Sequence, residues 1–144
     1  MPEMPADRTS LEAAAARAVV AAFFDRLGGG ADVEGWLELL HEEIEVDTPF
    51  SPTGEAVRFE GKPAIERRFG DARRGMPEFS FYDVEILGTE DPDRWIATCR
   101  SEGVASSGAR YSNTYCWIFR LRDGQIAGWT EFFDPQQVLA SRTR

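Results

Sequence analysis

Histidine occurs once, at His41, and cysteine only twice, at Cys99 and Cys116, in 144 residues. Zinc and non-haem iron sites need several such ligands at close spacing, and the two cysteines form neither a redox pair nor a metal knuckle. No metal and no cofactor is therefore expected, and the thiols read as small buried hydrophobes. Long apolar runs are also missing. None approaches the roughly 20 residues that span a bilayer, and the opening "MPEMPADRTS" has neither the basic segment nor the apolar segment of an export signal. Basic charge is in deficit, with 16 Lys and Arg against 25 Asp and Glu, a net charge of -9. Phosphate backbones and anionic membranes attract clustered cations. The basic residues between Arg58 and Arg74 are interleaved with acids. Neither nucleic acid nor membrane is expected as a partner, and the cytoplasm is the expected location.

What is present suits a globular fold: 42% hydrophobic residues, 12% of the chain aromatic, and a length that fits one domain with a real core. Residues 1–9 read as a loose tail and residues 10–144 as the domain. Thr9 and Glu12 have capping-box spacing, and Leu11, Ala15, Ala18, Ala22 and Leu27 recur at helical intervals until Gly28-Gly29-Gly30 ends the helix. Asp32 caps a short second helix through "VEGWLELLHEE", with His41 at its end. "EIEVDTPF" alternates as a strand, "VRFEG" returns, and Pro63 opens a third helix whose second half Gly70 weakens. Four strands then follow: "EFSFYDVEIL", "WIATCRSEGVA", "RYSNTYCWIFRL" and "QIAGWTEFF". "RDG" forms the last tight turn, and Asp134-Pro135 starts a brief terminal helix. Helices segregated from a mainly antiparallel sheet make the fold α+β.

One stretch demands a chemical explanation. In "GWTEFFDPQQ", Trp129, Glu131 and Phe133 share a strand face. On a solvated face two large rings meet water; in an interior a carboxylate is buried, which is costly unless it is paired or neutralised.

These residues resemble the nuclear transport factor 2-like superfamily. "GWTEFFDPQQ" and "TCRSEG" are similar to limonene epoxide hydrolase, where an arginine bridges two carboxylates. "TGEAVRFEGKPAIERRF", "GTEDPDRWIATC" and "YSNTYCWIFRLRDGQI" look like the phenazine-biosynthesis A/B proteins, and the SnoaL-like polyketide cyclases share the outline. The resemblance spans roughly residues 10 to 140. It implies a cone, in which a curved sheet wraps about three helices around a pocket, and a homodimer formed through the outer sheet face. Two departures stand out. Val46 and Thr48 occupy the positions of a water-holding Tyr and Asn, and Lys62 or a neighbour replaces a functional histidine.

Alternation puts Arg100 and Glu102 on one face, and the resemblance implies that this face looks inward. Asn113, Tyr115 and Trp117 share a face on the next strand. Together with Trp129, Phe133 and Thr48 they would line an aromatic pocket for a small apolar metabolite. Within it Arg100 would grip two carboxylates, leaving Glu131 as general base and Glu102 as general acid. The implied activity is cofactor-free acid/base catalysis: epoxide hydrolysis, or polyketide-type cyclisation or isomerisation. An alternative is a non-catalytic ligand-binding or scaffolding dimer. Arg100 and Glu102 also read as an ordinary surface ion pair, Glu131 as a solvated strand residue, and Asn113, Tyr115 and Trp117 as plain core and sheet residues. Asp47, Tyr111 and Lys62 are weaker candidates.

Overall fold

A computed structural model describes residues 4–29 and 31–142, with side chains from residue 11 onward. The first helix, α1 (Met4–Leu27), is alanine-rich and begins within the segment expected to be a loose tail. It ends where Gly28 donates its N–H to the Phe24 carbonyl at 2.8 Å. Its inward stripe is Val20, Phe23, Phe24 and Leu27, whereas Leu11 is 72% exposed. The expected repeat through Leu11, Ala15, Ala18 and Ala22 thus misplaced the helix rotation. Alanines bury too little area to set it, and the phenylalanines do.

Asp32 caps α2 (Val33–Glu38) by accepting the Gly35 N–H at 3.0 Å. This helix is shorter than the pattern suggested, and Leu40 and His41 already belong to β1 (Leu40–Thr48). His41 is therefore a strand residue, its ring against the Arg122 guanidinium at 3.1 Å, not a helix terminus. β2 (Val57–Glu60) returns beside β1. The expected third helix is broken into α3 (Lys62–Ile65), a π-helical turn over Glu66–Gly70, and α4 (Asp71–Arg74). A Cβ on Gly70 would stand 2.9 Å from a Val33 methyl, so glycine lets this segment lie against α2.

Strands β3 (Ser80–Gly88), β4 (Arg94–Val104), β5 (Arg110–Arg122) and β6 (Gln125–Phe133) follow, then α5 (Pro135–Arg142). Asp123 and Gly124, with φ of 53° and 76°, make the two-residue turn between β5 and β6. The six strands form one mixed sheet in the order β2-β1-β6-β5-β4-β3; β1 and β6 run parallel and the other pairs antiparallel. The α+β cone expected from the sequence is the observed architecture. Phe23 sits at its centre, with ring centroids 5.0 to 5.5 Å from those of Trp36, Trp117, Phe119 and Trp129. No helix among the described residues is long and apolar enough to cross a membrane.

Candidate active site

Alternation along β6 sends Trp129 and Glu131 into the cone. Trp129 is fully buried and Glu131 is 7% exposed. Glu131 lies opposite Trp117 on β5, and Phe133 opposite Tyr115. Just before them, Gly128 passes so close to its neighbours that a Cβ there would stand 2.5 Å from the Glu45 carbonyl and 2.2 Å from the Arg120 guanidinium. Glycine at this point seats the strand between β1 and β5, so that Trp129 and Glu131 follow in register.

Glu131 borders a cavity of about 200 Å³. Its sheet wall is Tyr111, Tyr115, Trp117, Glu131 and Phe133; its helical wall includes Leu27 and Phe69, with Met76 from the loop after α4 and Phe79 and Phe81 from the approach to and start of β3. Arg68 stands among the lining residues, its guanidinium 5.1 Å from the centre of the Phe69 ring. The hydrogen bond to Glu131 comes from the Trp129 indole N–H, which donates to Oε1 at 3.2 Å. Burial pushes the Glu131 carboxyl up to about 7, against smaller downward pulls from the indole bond and from Arg68. A carboxyl placed there exchanges its proton near neutral pH.

Arg73 also reaches the cavity but has a structural task. It is 5% exposed and donates to the carbonyls of Leu27, Met76 and Phe79, closing the C-terminal end of α1. Burial lowers its pKa. Cys99 is buried in the β4 wall, and desolvation pushes its thiol up to about 12, so it stays protonated and unreactive.

The expected constellation assembles only in part. Tyr115, Trp117, Phe133 and Glu131 line the cavity, and Trp129 holds the carboxyl from behind. Asn113 is buried behind the wall, its side chain bonded to Tyr111, Thr114 and Asp134. Thr48 lies away from the cavity and donates to the Val57 carbonyl at 3.1 Å. Val46 is buried in the core, Lys62 faces Glu42 at 3.5 Å, and Asp47 pairs with Arg58 at 3.2 Å.

Arg100 and Glu102 are a correction. They do share a face, but it is the outer, exposed one. The inner face of β4 is Trp95, Ala97, Cys99 and Ser101, the last fully buried. Neither Arg100 nor Glu102 meets Glu131, because a strand turns alternate side chains to opposite sides of the sheet. The pattern W-x-A-x-C-x-S carried the missed signal, being apolar or small at each inward position. Sequence reasoning also passed over Arg68 and Ser101, and ranked Tyr111 low although it continues the Asn113-Tyr115-Trp117 alternation.

The fold and this cavity define a class: an α+β cone closed around an aromatic pocket with a desolvated carboxyl in its wall. A SnoaL-like domain profile matches residues 20–129, and the chain belongs to that family. It is 36% identical over 118 residues to an uncharacterized PhzA/B-like protein of Pseudomonas aeruginosa, covering 79% of this chain and 81% of that one. It is 30% identical over 92 residues to the phenazine biosynthesis protein PhzA2 of the same organism, 60% of this chain and 56% of the relative. Among solved structures, a phenazine biosynthesis-related protein of P. aeruginosa superposes with TM-score 0.80 at 21% identity, over 94% of this chain and 89% of its own. A candidate isomerase from Bacillus subtilis does so with TM-score 0.80 at 25% identity, over 91% and 94%. A candidate polyketide cyclase from Xanthomonas campestris gives 0.76 at 21% identity, over 90% and 98%.

Proposed function

We propose that the chain is a cofactor-free acid/base enzyme, a SnoaL-like cyclase or isomerase, in which Glu131 relocates a proton on a small, largely apolar metabolite. One observation carries this reading: a carboxyl desolvated in an aromatic cavity and held by one indole N–H, with its ionisation moved to about 7. A group so placed removes a proton as the carboxylate and returns it as the acid, at one pH and without a second residue. Epoxide opening by a carboxylate pair fits less well, since Glu102 and Arg100 lie on the outer face. Cyclisation by carbon–carbon closure and isomerisation of a double bond both begin with loss of a proton beside a carbonyl, which Glu131 alone can accept. The phenazine, cyclase and isomerase names among the relatives support the same group of reactions. The reading includes a homodimer paired through the outer sheet face, for which the expected solution mass is twice that of the chain.

The test is a carbon-13 NMR titration of the Glu131 side-chain carboxyl, assigned with Glu131→Gln. A midpoint near 7 is the expected result. A midpoint in the ordinary carboxylate range would transfer the protein to the ligand-binding class.

A further inference from the structure

The hydroxyl groups of the β4–β5 wall can be oriented without seeing a hydrogen atom. Asn113 Oδ1 accepts the backbone N–H groups of Thr114 and Asp134, both at 2.8 Å, and its Nδ2 donates to the Asp134 carbonyl at 3.0 Å. Those backbone partners settle which end of the amide is which. The remaining bond, Nδ2 to the Tyr111 hydroxyl at 2.8 Å, therefore runs from Asn113 to Tyr111. Tyr111 receives that bond, and its own O–H points elsewhere. Ser101 is fully buried, and among the described residues its hydroxyl has a single partner, the Tyr115 hydroxyl at 2.8 Å. A buried hydroxyl hydrogen left unpaired is costly, so Ser101 donates and Tyr115 receives.

Two phenolic O–H groups remain to be satisfied. The oxygens stand 3.4 Å apart, and no other bond to either is present among the described residues. At most one can donate to the other, so at least one O–H is left facing the cavity that both tyrosines line. Burial raises the pKa of both phenols, keeping them protonated donors. Glu131 lines the same cavity and bonds to neither. Its hydrogen bond goes to Trp129.

We propose that Tyr111 and Tyr115 form an oxyanion site facing Glu131, and that the substrate is a carbonyl compound whose enolate oxygen receives both phenolic O–H bonds. This rests on Glu131 being the proton-transfer group. In the step, the C–H bond beside the carbonyl breaks and its proton passes to the Glu131 carboxylate. The electron pair forms the carbon–carbon double bond of the enolate, and the charge moves to the carbonyl oxygen between the two tyrosines. Glu131 then returns the proton to carbon or oxygen. Donors already aimed at the place where charge develops need no reorganisation as the reaction occurs. Ser101 and Asn113 are positioning residues, since each occupies the lone pair of a phenol from behind and turns its proton toward the cavity.

The probe is 4-nitrophenol, whose bound phenolate is read by its absorption, with 4-nitroanisole as the uncharged match, read by tryptophan fluorescence. In the Glu131→Gln protein, which mimics the protonated carboxyl, phenolate should bind more tightly than the ether. On that background Tyr111→Phe or Tyr115→Phe should each weaken phenolate binding by roughly tenfold while moving the ether by less than about twofold. Asn113→Asp replaces the donor with an acceptor that draws the Tyr111 proton away, and should weaken phenolate alone. Equal binding of the two probes, equal losses for both, or no binding of either would overturn the oxyanion site. If that happens while Glu131 still titrates near 7, the oxyanion site fails by itself. If Glu131 titrates as an ordinary carboxylate, the acid/base reading fails with it.

Discussion

Glu131 and Glu102 are the same residue type, both in central strands of one sheet, yet they inhabit different solvents. Glu131 faces inward, across from Trp117, under the Trp129 indole. Glu102 faces outward between Ser80 and Ser112, in water. The contrast teaches that the environment of a carboxyl is set by the face of the sheet and not by the side chain. Desolvation moves a carboxyl into the neutral range, and a strand places one residue in such an environment and its neighbour outside it.

The most direct way to break the comparison is to remove each carboxyl in turn. Glu131→Gln is expected to lower turnover of a true substrate by about 10² to 10⁴, the range of general acid/base catalysis, with the fold intact by circular dichroism. Next comes stability. The folded chain holds the Glu131 proton up to about 7, against an ordinary value of 4.5. Its stabilising contribution is therefore complete below 4.5 and is lost as pH rises through 7. Relative to Glu131→Gln, the wild-type protein should lose about 3 kcal/mol across that window, measured by urea unfolding at paired pH values.

A smaller effect sharpens the contrast. Trp129→Phe removes the N–H that favours the carboxylate, so the Glu131 midpoint and the lower limb of the pH–rate profile should both move upward. Outer-face changes should do least. Arg100→Ala and Glu102→Gln are each expected to shift stability by no more than about 0.5 kcal/mol and to leave Glu131 titrating as before. A loss of activity in either would restore them to the site.

Local signals in the sequence were dependable where one residue decides a local geometry. Asp32 at a helix start, Asp123-Gly124 in the hairpin and the alternation of β5 and β6 all appear as read. The buried Glu131 was legible because two aromatic neighbours on its face are incompatible with cheap solvation. Three features were missed. The break in the third helix depends on how near α2 lies to Gly70, a contact between distant segments. Alternation alone gives two faces and no sign; the sign lay in the apolar or small residues Trp95, Ala97, Cys99 and Ser101, and Arg100 and Glu102 were grouped correctly but assigned to the wrong side of the sheet. For the proposed oxyanion pair, alternation along β5 already groups Asn113 with Tyr111, but that Ser101 stands behind Tyr115 is supplied only by the β4–β5 pairing.

The parallel pairing of β1 with β6, Val46 beside Trp129 and Asp47 beside Thr130, joins the first strand to the last. Consider the chain emerging from a ribosome. Val20, Phe23, Phe24, Trp36, Ile44 and Val46 are made early, and the strand that covers much of their apolar surface is made last. Contacts so distant in sequence form slowly, after the loop-closure cost has been met. Until then the nascent chain carries an uncovered aromatic stripe, the kind of surface that holding chaperones grasp and that aggregates when they are scarce. A chain cut short in the β5–β6 hairpin would be an open half-cone with its core facing water, not a smaller version of the protein. The wall that holds the buried carboxyl is also the wall that completes the fold.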